Sequence, residues 1–206
     1  YHPNASQDPY KVFGIQYSQY FKFDGDYSLT HSFSPRHSLA FHVGMGVAYP
    51  YGNSGILPFE KRFYGGGANG VRGWDVRTLG PGKFNGSNSV SSFINQCGDI
   101  RFIMSLEYRA KLFWVIEMAA FIDAGNIWTI KDYENQPGGL FRFSSFYKEL
   151  AVAYGLGIRL DFNYFLLRLD MGMKAYNPAE GQEKWPLIHP RWGRDRSFHF
   201  SIGYPF

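Results

Sequence analysis

The sequence predicts an all-β chain, part of a transmembrane antiparallel β-barrel, on three observations. Long runs alternate with period two, each with one continuously apolar face and one that is polar, charged or small. The connections between these runs are alternately short and long. Aromatic residues make up 19% of the chain (20 Phe, 15 Tyr and 5 Trp), a heavy excess over ordinary globular usage. Strand faces that carry charge are a poor recipe for a dry sandwich core, but they suit a barrel with lipid outside and water inside. A soluble β-sandwich or lipocalin-like barrel is the alternative architecture.

The alternation can be followed in order. From Phe21 to Phe33 the odd positions are Phe21, Phe23, Gly25, Tyr27, Leu29, His31 and Phe33, against Lys22, Asp24, Asp26, Ser28, Thr30 and Ser32. A two-residue hairpin at Asp24-Gly25 would set Phe23 opposite Asp26 and spoil the sorting, so one long strand is expected over 11–33. A turn at 34–37 leads into a strand over 38–49, where Leu39, Phe41, Val43, Met45, Val47 and Tyr49 oppose Ala40, His42, Gly44, Gly46 and Ala48. That small face leaves room for another backbone, and the glycine-rich loop is expected to dock there. Further strands are expected over 100–110 and 114–128 with a turn at 111–113, then 150–162 and 164–174 around Asn163-Tyr164, and finally 197–206. The long connections are 50–99, 129–149 and 175–196. Tyr49, Tyr51, Trp114, Trp128, Phe162, Tyr164 and Tyr176 lie near strand ends, where interfacial girdles form. Seven strands would leave an unpaired edge in hydrocarbon, so the chain reads as one portion of a larger barrel.

Composition narrows the function. The net charge of +4 comes from 21 basic and 17 acidic residues spread along the chain, which argues against a phosphate-tracking surface and against a nucleic-acid partner. Cys97 is the single cysteine and cannot form an internal disulfide. The chain starts at Tyr1 inside patterned sequence, as a fragment or a processed product would. Gly65-x-Gly67-x-x-Gly70 matches the dinucleotide fingerprint in form but opens no helix. Gly52-Asn53-Ser54-Gly55 has the wrong spacing for a nucleophile elbow, and the six histidines offer no metal constellation. No catalytic residue, cofactor or metal site is expected. Arg159, Asp161, Arg168 and Asp170 read as interior charges that balance one another.

The stretch from Phe63 to Gly82 is different. It is dense in glycine and has no sustained period, so it reads as a tightly folded loop tucked against or inside the strands. Arg72 sits within it, between Val71 and Gly73. Glu107 and Asp123 fall on the polar face of neighbouring strands, and a guanidinium fork suits such carboxylates. The opposing reading leaves Arg72 in solvent.

Phe63-Tyr-Gly-Gly66, Val71-Arg-Gly-Trp74, Leu79-Gly-Pro-Gly82, Leu106-Glu-Tyr-Arg109, Phe121-Ile-Asp-Ala-Gly125 and the terminal Ser201-Ile-Gly-Tyr-Pro-Phe206 occur in this order. Together they resemble the BamA/TamA-type outer-membrane assembly proteins, the bacterial surface antigen family, over nearly the whole chain. The resemblance implies a sixteen-stranded barrel preceded by periplasmic POTRA domains, of which residues 1–206 would be the C-terminal part. Residues 50–99 would be the reentrant sixth extracellular loop, with Val71, Arg72, Gly73 and Trp74 at its tip. It implies a lock between Arg72 and Asp123, with Glu107 as a second acid. Tyr204 and Phe206 would serve as assembly signal and seam. Trp74 departs from the Phe or Tyr of many members.

The function implied is insertion of unfolded outer-membrane protein clients, with outer-membrane lipids and accessory assembly proteins as further partners, in the bacterial outer membrane. A barrel seam would open, and the last strand would template an incoming one by β-augmentation. Rival readings are a two-partner secretion transporter, an outer-membrane phospholipase or protease, and a diffusion porin.

Overall fold

A computed structural model describes residues 9–86, 92–162 and 164–206. Tyr1, Asn163 and the part of the long loop over 87–91 lie outside the described residues. A small hairpin, β1 (Lys11–Val12) with β2 (Ile15–Gln16), precedes a seven-stranded sheet. The sheet comprises β3 (Gln19–Ser34), β4 (His37–Tyr51), β5 (Ile100–Phe113), β6 (Ile116–Trp128), β7 (Ala151–Asp161), β8 (Leu166–Tyr176) and β9 (Arg196–Ile202). Each strand pairs antiparallel with its sequence neighbour, a meander, and the sheet is open. The first six of these strands have 11 to 16 residues, enough to cross a bilayer at the usual tilt, which takes about 9–11. β9 has seven.

The two faces are sorted inside out relative to a soluble protein. Phe21, Phe23, Leu29, Met45, Leu106, Ile122, Ile158, Leu169 and Phe200 are 42–65% exposed, whereas Glu107, Asp123, Arg159 and Arg168 are 0% exposed. A lipid surround makes that distribution favourable. Among the described residues no helix is long and apolar enough to cross a membrane.

Several expected boundaries move. The first strand begins at Gln19 rather than near Lys11, because Phe13 and Gly14 both take positive φ (50° and 78°) and fold 11–16 into its own hairpin. Asp24-Gly25 stays within one continuous strand, as the alternation requires. The turn expected at 111–113 falls at Trp114-Val115, since Phe113 pairs with Ile116 and Trp114 takes φ 53°. Trp114 is accordingly a turn tip, 89% exposed.

Two expectations are overturned. Trp128 is not a girdle residue: it is fully buried beneath the 129–149 connection, and its Nε1 donates to Glu149 Oε2 at 2.8 Å. The last strand does not run to Phe206. It ends at Ile202, where Gly203 takes φ 91°, a conformation that glycine adopts without strain, and Pro205 has no N–H for a ladder. Tyr204 and Phe206 therefore leave the outward row of Phe198, Phe200 and Ile202.

Candidate functional site

The long loop enters and leaves the inner face through backbone pins. Phe63 and Gly98 bridge each other, the Ala48 N–H donates to the Asp99 carbonyl, and Gly65 bridges Leu79. Between them the chain folds back at Gly66 and Gly67 (φ 83° and 89°), and a Cβ at Gly66 would collide with the Asp75 carbonyl. The Trp74 N–H donates to the Val71 carbonyl at 3.2 Å, so Val71-Arg72-Gly73-Trp74 is one tight turn at the loop tip. Val71 and Trp74 bury themselves in a cluster with Leu79, Ala151 and Ala153, which fixes the turn against β7.

The tip docks where the sheet is thin. A Cβ at Gly172 would strike the Arg72 carbonyl, one at Gly73 would strike the Ala153 methyl, and one at Gly125 would press on the Val71 side chain. The small face of β4, expected to receive the loop, receives its stalk: Leu57 and Phe63 pack with Ala48, and the Phe63 ring lies over Gly46. The tip lies on β6–β8 instead, because Gly125, Ala153 and Gly172 make the backbone accessible there.

Register then brings the acids to the arginine. Glu107 pairs with Phe121 and Ser105 with Asp123, so Glu107 and Asp123 are diagonal neighbours on one face of β5–β6. Arg72 donates to Asp123 through Nε at 2.7 Å and Nη2 at 2.8 Å, and its backbone N–H donates to the same carboxylate at 3.1 Å. Nη1 donates to Glu107 Oε2 at 2.5 Å and, more weakly, to Asp170 Oδ2 at 3.4 Å. The guanidinium lies 3.5 Å above the centre of the Phe121 ring. Burial disfavours the charge on Arg72, but Asp123 and Glu107 outweigh it and hold the guanidinium above its ordinary range.

Three of the charges expected to balance among themselves, Arg159, Arg168 and Asp170, belong to this site. Glu107 also accepts from Arg109 Nε at 2.8 Å and Arg159 Nη2 at 2.9 Å. Asp170 accepts from Arg159 Nη1 at 2.8 Å and pairs with Arg168 at 3.3 Å. Arg168 in turn donates to the Ala68 carbonyl and Asn69 Oδ1, at 3.0 and 2.7 Å, gripping the loop just before its tip. Sequence reasoning missed Phe121, Arg159, Arg168 and Asp170 as contributors. A large ring between Ala119 and Asp123, on a face of β6 that is otherwise small or charged around it, was the one local signal for Phe121.

Tyr204 and Phe206 sit elsewhere. The Arg109 guanidinium lies 4.4 Å from the centre of the Tyr204 ring, and Phe206 stacks on His42 at 4.9 Å. A second buried ion pair holds the loop stalk: Arg62 Nε donates to Asp99 at 3.1 Å and its Nη2 to Gln136 at 3.3 Å. Burial pushes the Asp99 carboxyl up despite Arg62. Burial, then the Asp99 charge, push the neighbouring Tyr133 phenol up to about 12. Among the described residues no cluster of His, Cys, Asp or Glu could hold a metal ion.

A buried Arg-carboxylate turn inside an inside-out sheet invites comparison with known proteins, and residues 4–206 match the Omp85 superfamily domain. The chain belongs to the Omp85 superfamily. It is 31% identical over 120 residues to the outer membrane protein assembly factor BamA of Neisseria meningitidis, covering 53% of this chain and 15% of that protein. Its fold is similar to BamA from Haemophilus ducreyi lacking POTRA domains 1–3, with TM-score 0.60 and 15% identity over 89% of this chain and 34% of that one. It is also similar to CdiB from Acinetobacter baumannii, with TM-score 0.51 and 18% identity over 90% of this chain and 27% of that one. The chain thus spans about a third or less of the relatives it matches. Its open sheet is a portion of an Omp85 barrel, and its place is the bacterial outer membrane.

Proposed function

We propose that this chain is the C-terminal part of a sixteen-stranded Omp85 barrel, preceded by POTRA domains, that inserts unfolded outer-membrane proteins without covalent chemistry. The observation that carries the reading is the Arg72 turn, bound by Asp123 and Glu107 with side chains 1% and 0% exposed. A loop held that firmly braces the inner wall while the seam beside the last strand opens. The unpaired edge of that strand then templates a client strand by backbone hydrogen bonding, and the thinned bilayer nearby eases its entry. Tyr204 and Phe206 act in this protein's own assembly and in seam geometry. Accessory assembly proteins bind through the POTRA domains.

A transporter that exports a dedicated secreted partner could use the same wall. The 31% identity to BamA supports the assembly reading over it. The test is the rate at which a small barrel client folds into liposomes that hold the full-length protein. Arg72→Ala is expected to slow client folding and to expose residues 63–82 to protease. Full activity with unchanged protease resistance would overturn the proposal.

A further inference from the structure

The turn that carries Arg72 is bonded to the last strand as well as to β5 and β6. His199 Nε2 lies 3.0 Å from the Arg72 carbonyl, and Ser197 Oγ donates to the Gly73 carbonyl at 3.3 Å. Both residues are on β9 and both are buried. A carbonyl only accepts, so Nε2 carries the proton, in the neutral ring or the imidazolium alike.

Register explains how a loop on β6–β8 reaches β9. Ser197 pairs with Gly172 and His199 with Asp170, so the tip crosses β8 at the one position without a Cβ and meets the two inward side chains beyond it. β9 is the short edge of the sheet. Its ladder to β8 runs from Met173↔Arg196 to Leu167↔Ile202, with one further backbone bond at each end (Lys174 N–H to the Asp195 carbonyl at 2.9 Å, Gly203 N–H to the Leu166 carbonyl at 2.8 Å), and its other edge is unpaired in this sheet. A short edge strand of this kind opens more easily than the strands inside the sheet.

We propose that the Arg72–Gly73 backbone tethers β9 through His199 and Ser197, so that docking of the loop tip sets how readily the last strand parts from β8. This rests on the reading of the loop as a lock and deepens it: His199 and Ser197 are positioning residues that transmit the lock to the seam strand. Arg72 supplies the hold through its side chain, and its carbonyl passes the hold on.

The experiment is amide hydrogen exchange on the full-length protein in outer-membrane vesicles, comparing β9 with β6 and β7. The double variant His199→Ala/Ser197→Ala is expected to speed β9 exchange about tenfold, the loss of two ordinary hydrogen bonds. Exchange in β6 and β7 and protease resistance of 63–82 should stay unchanged. His199→Gln, which keeps an N–H donor, should remain within about twofold of the parent. Ser197→Ala alone removes one bond with little change of shape and should give about threefold, which keeps the test open if the double variant fails to insert. Unmoved β9 exchange in the alanine variants, or His199→Gln as loose as the double variant, would overturn the tether. Client folding measured in parallel separates the two ideas. Arg72→Ala that loosens β9 yet folds clients normally sinks only the insertion reading. Arg72→Ala that impairs folding with β9 unmoved sinks only the tether.

Discussion

Arg72 meets Asp123 in three ways: Nε and Nη2 take its two carboxylate oxygens at 2.7 and 2.8 Å, and the Arg72 backbone N–H takes one of them again at 3.1 Å. The carboxylate therefore holds the side chain and the turn that presents it. A lone charge pair would orient the guanidinium only, whereas this one also fixes the backbone of the turn.

Removing the fork should matter more than removing the charge. Arg72→Lys keeps a cation but offers no planar pair of donors to Asp123 and leaves the carboxylate partly unpaired. Both Arg72→Lys and Arg72→Ala should destabilise the docked loop, Arg72→Ala by about 3–5 kcal/mol less any relief from lumen water. Thermal unfolding and protease mapping of 63–82 read this out. A lysine variant as stable as the parent would show that geometry is dispensable.

The pair should also be strongly non-additive. Arg72→Ala, Asp123→Ala and the double variant form a cycle whose coupling is expected at about 2–3 kcal/mol, the upper part of the range for residues in contact. Additive losses in thermal unfolding would place the two side chains in separate interactions.

Two glycines distinguish backbone contact from side-chain contact. At Gly172 a Cβ meets the Arg72 carbonyl, a backbone atom, whereas at Gly46 it meets the far edge of the Phe63 side chain. Gly172→Ala should cost about 1–3 kcal/mol as overpacking, and Gly46→Ala clearly less. Matched melting curves settle the order, and a larger loss at Gly46 would contradict the docking described.

At the loop stalk the prediction concerns pH. Tyr133 is pushed up to about 12 from 10.0, so the folded protein keeps this proton where an unfolded chain has begun to lose it. A raised folded value contributes stability below pH 10 that is lost as pH climbs through about 12. Phenolate absorbance of the parent minus that of Tyr133→Phe should show one tyrosine titrating near the upper value. Titration near 10 would mean that the hydroxyl is not held out of water beside Asp99.

Much of the fold was legible because strand alternation is a local property. Leu106, Tyr108, Met118 and Ile122 declared an outward face from their spacing alone, and Glu107 and Asp123 an inward one. The boundaries were less legible where one residue's dihedral decides. Trp114 and Gly203 end their runs through positive φ, and an apolar pattern continues across both without marking the break. Trp128 was misplaced because its spacing matches a girdle, while its burial depends on a connection twenty-one residues away at Glu149.

The order of residues by itself determined which side of each strand meets lipid, and that a glycine-dense loop carries Arg72 within a chain whose inward strand faces hold Glu107 and Asp123. Only the tertiary structure decided which acids that arginine takes and what else it touches. Glu107, Asp123 and Asp170 lie 35, 51 and 98 residues from Arg72, and His199 lies 127 away. Charge and spacing are written into short segments, but convergence over such separations depends on strand register and on the absence of a side chain at Gly172, where one backbone can lie on another.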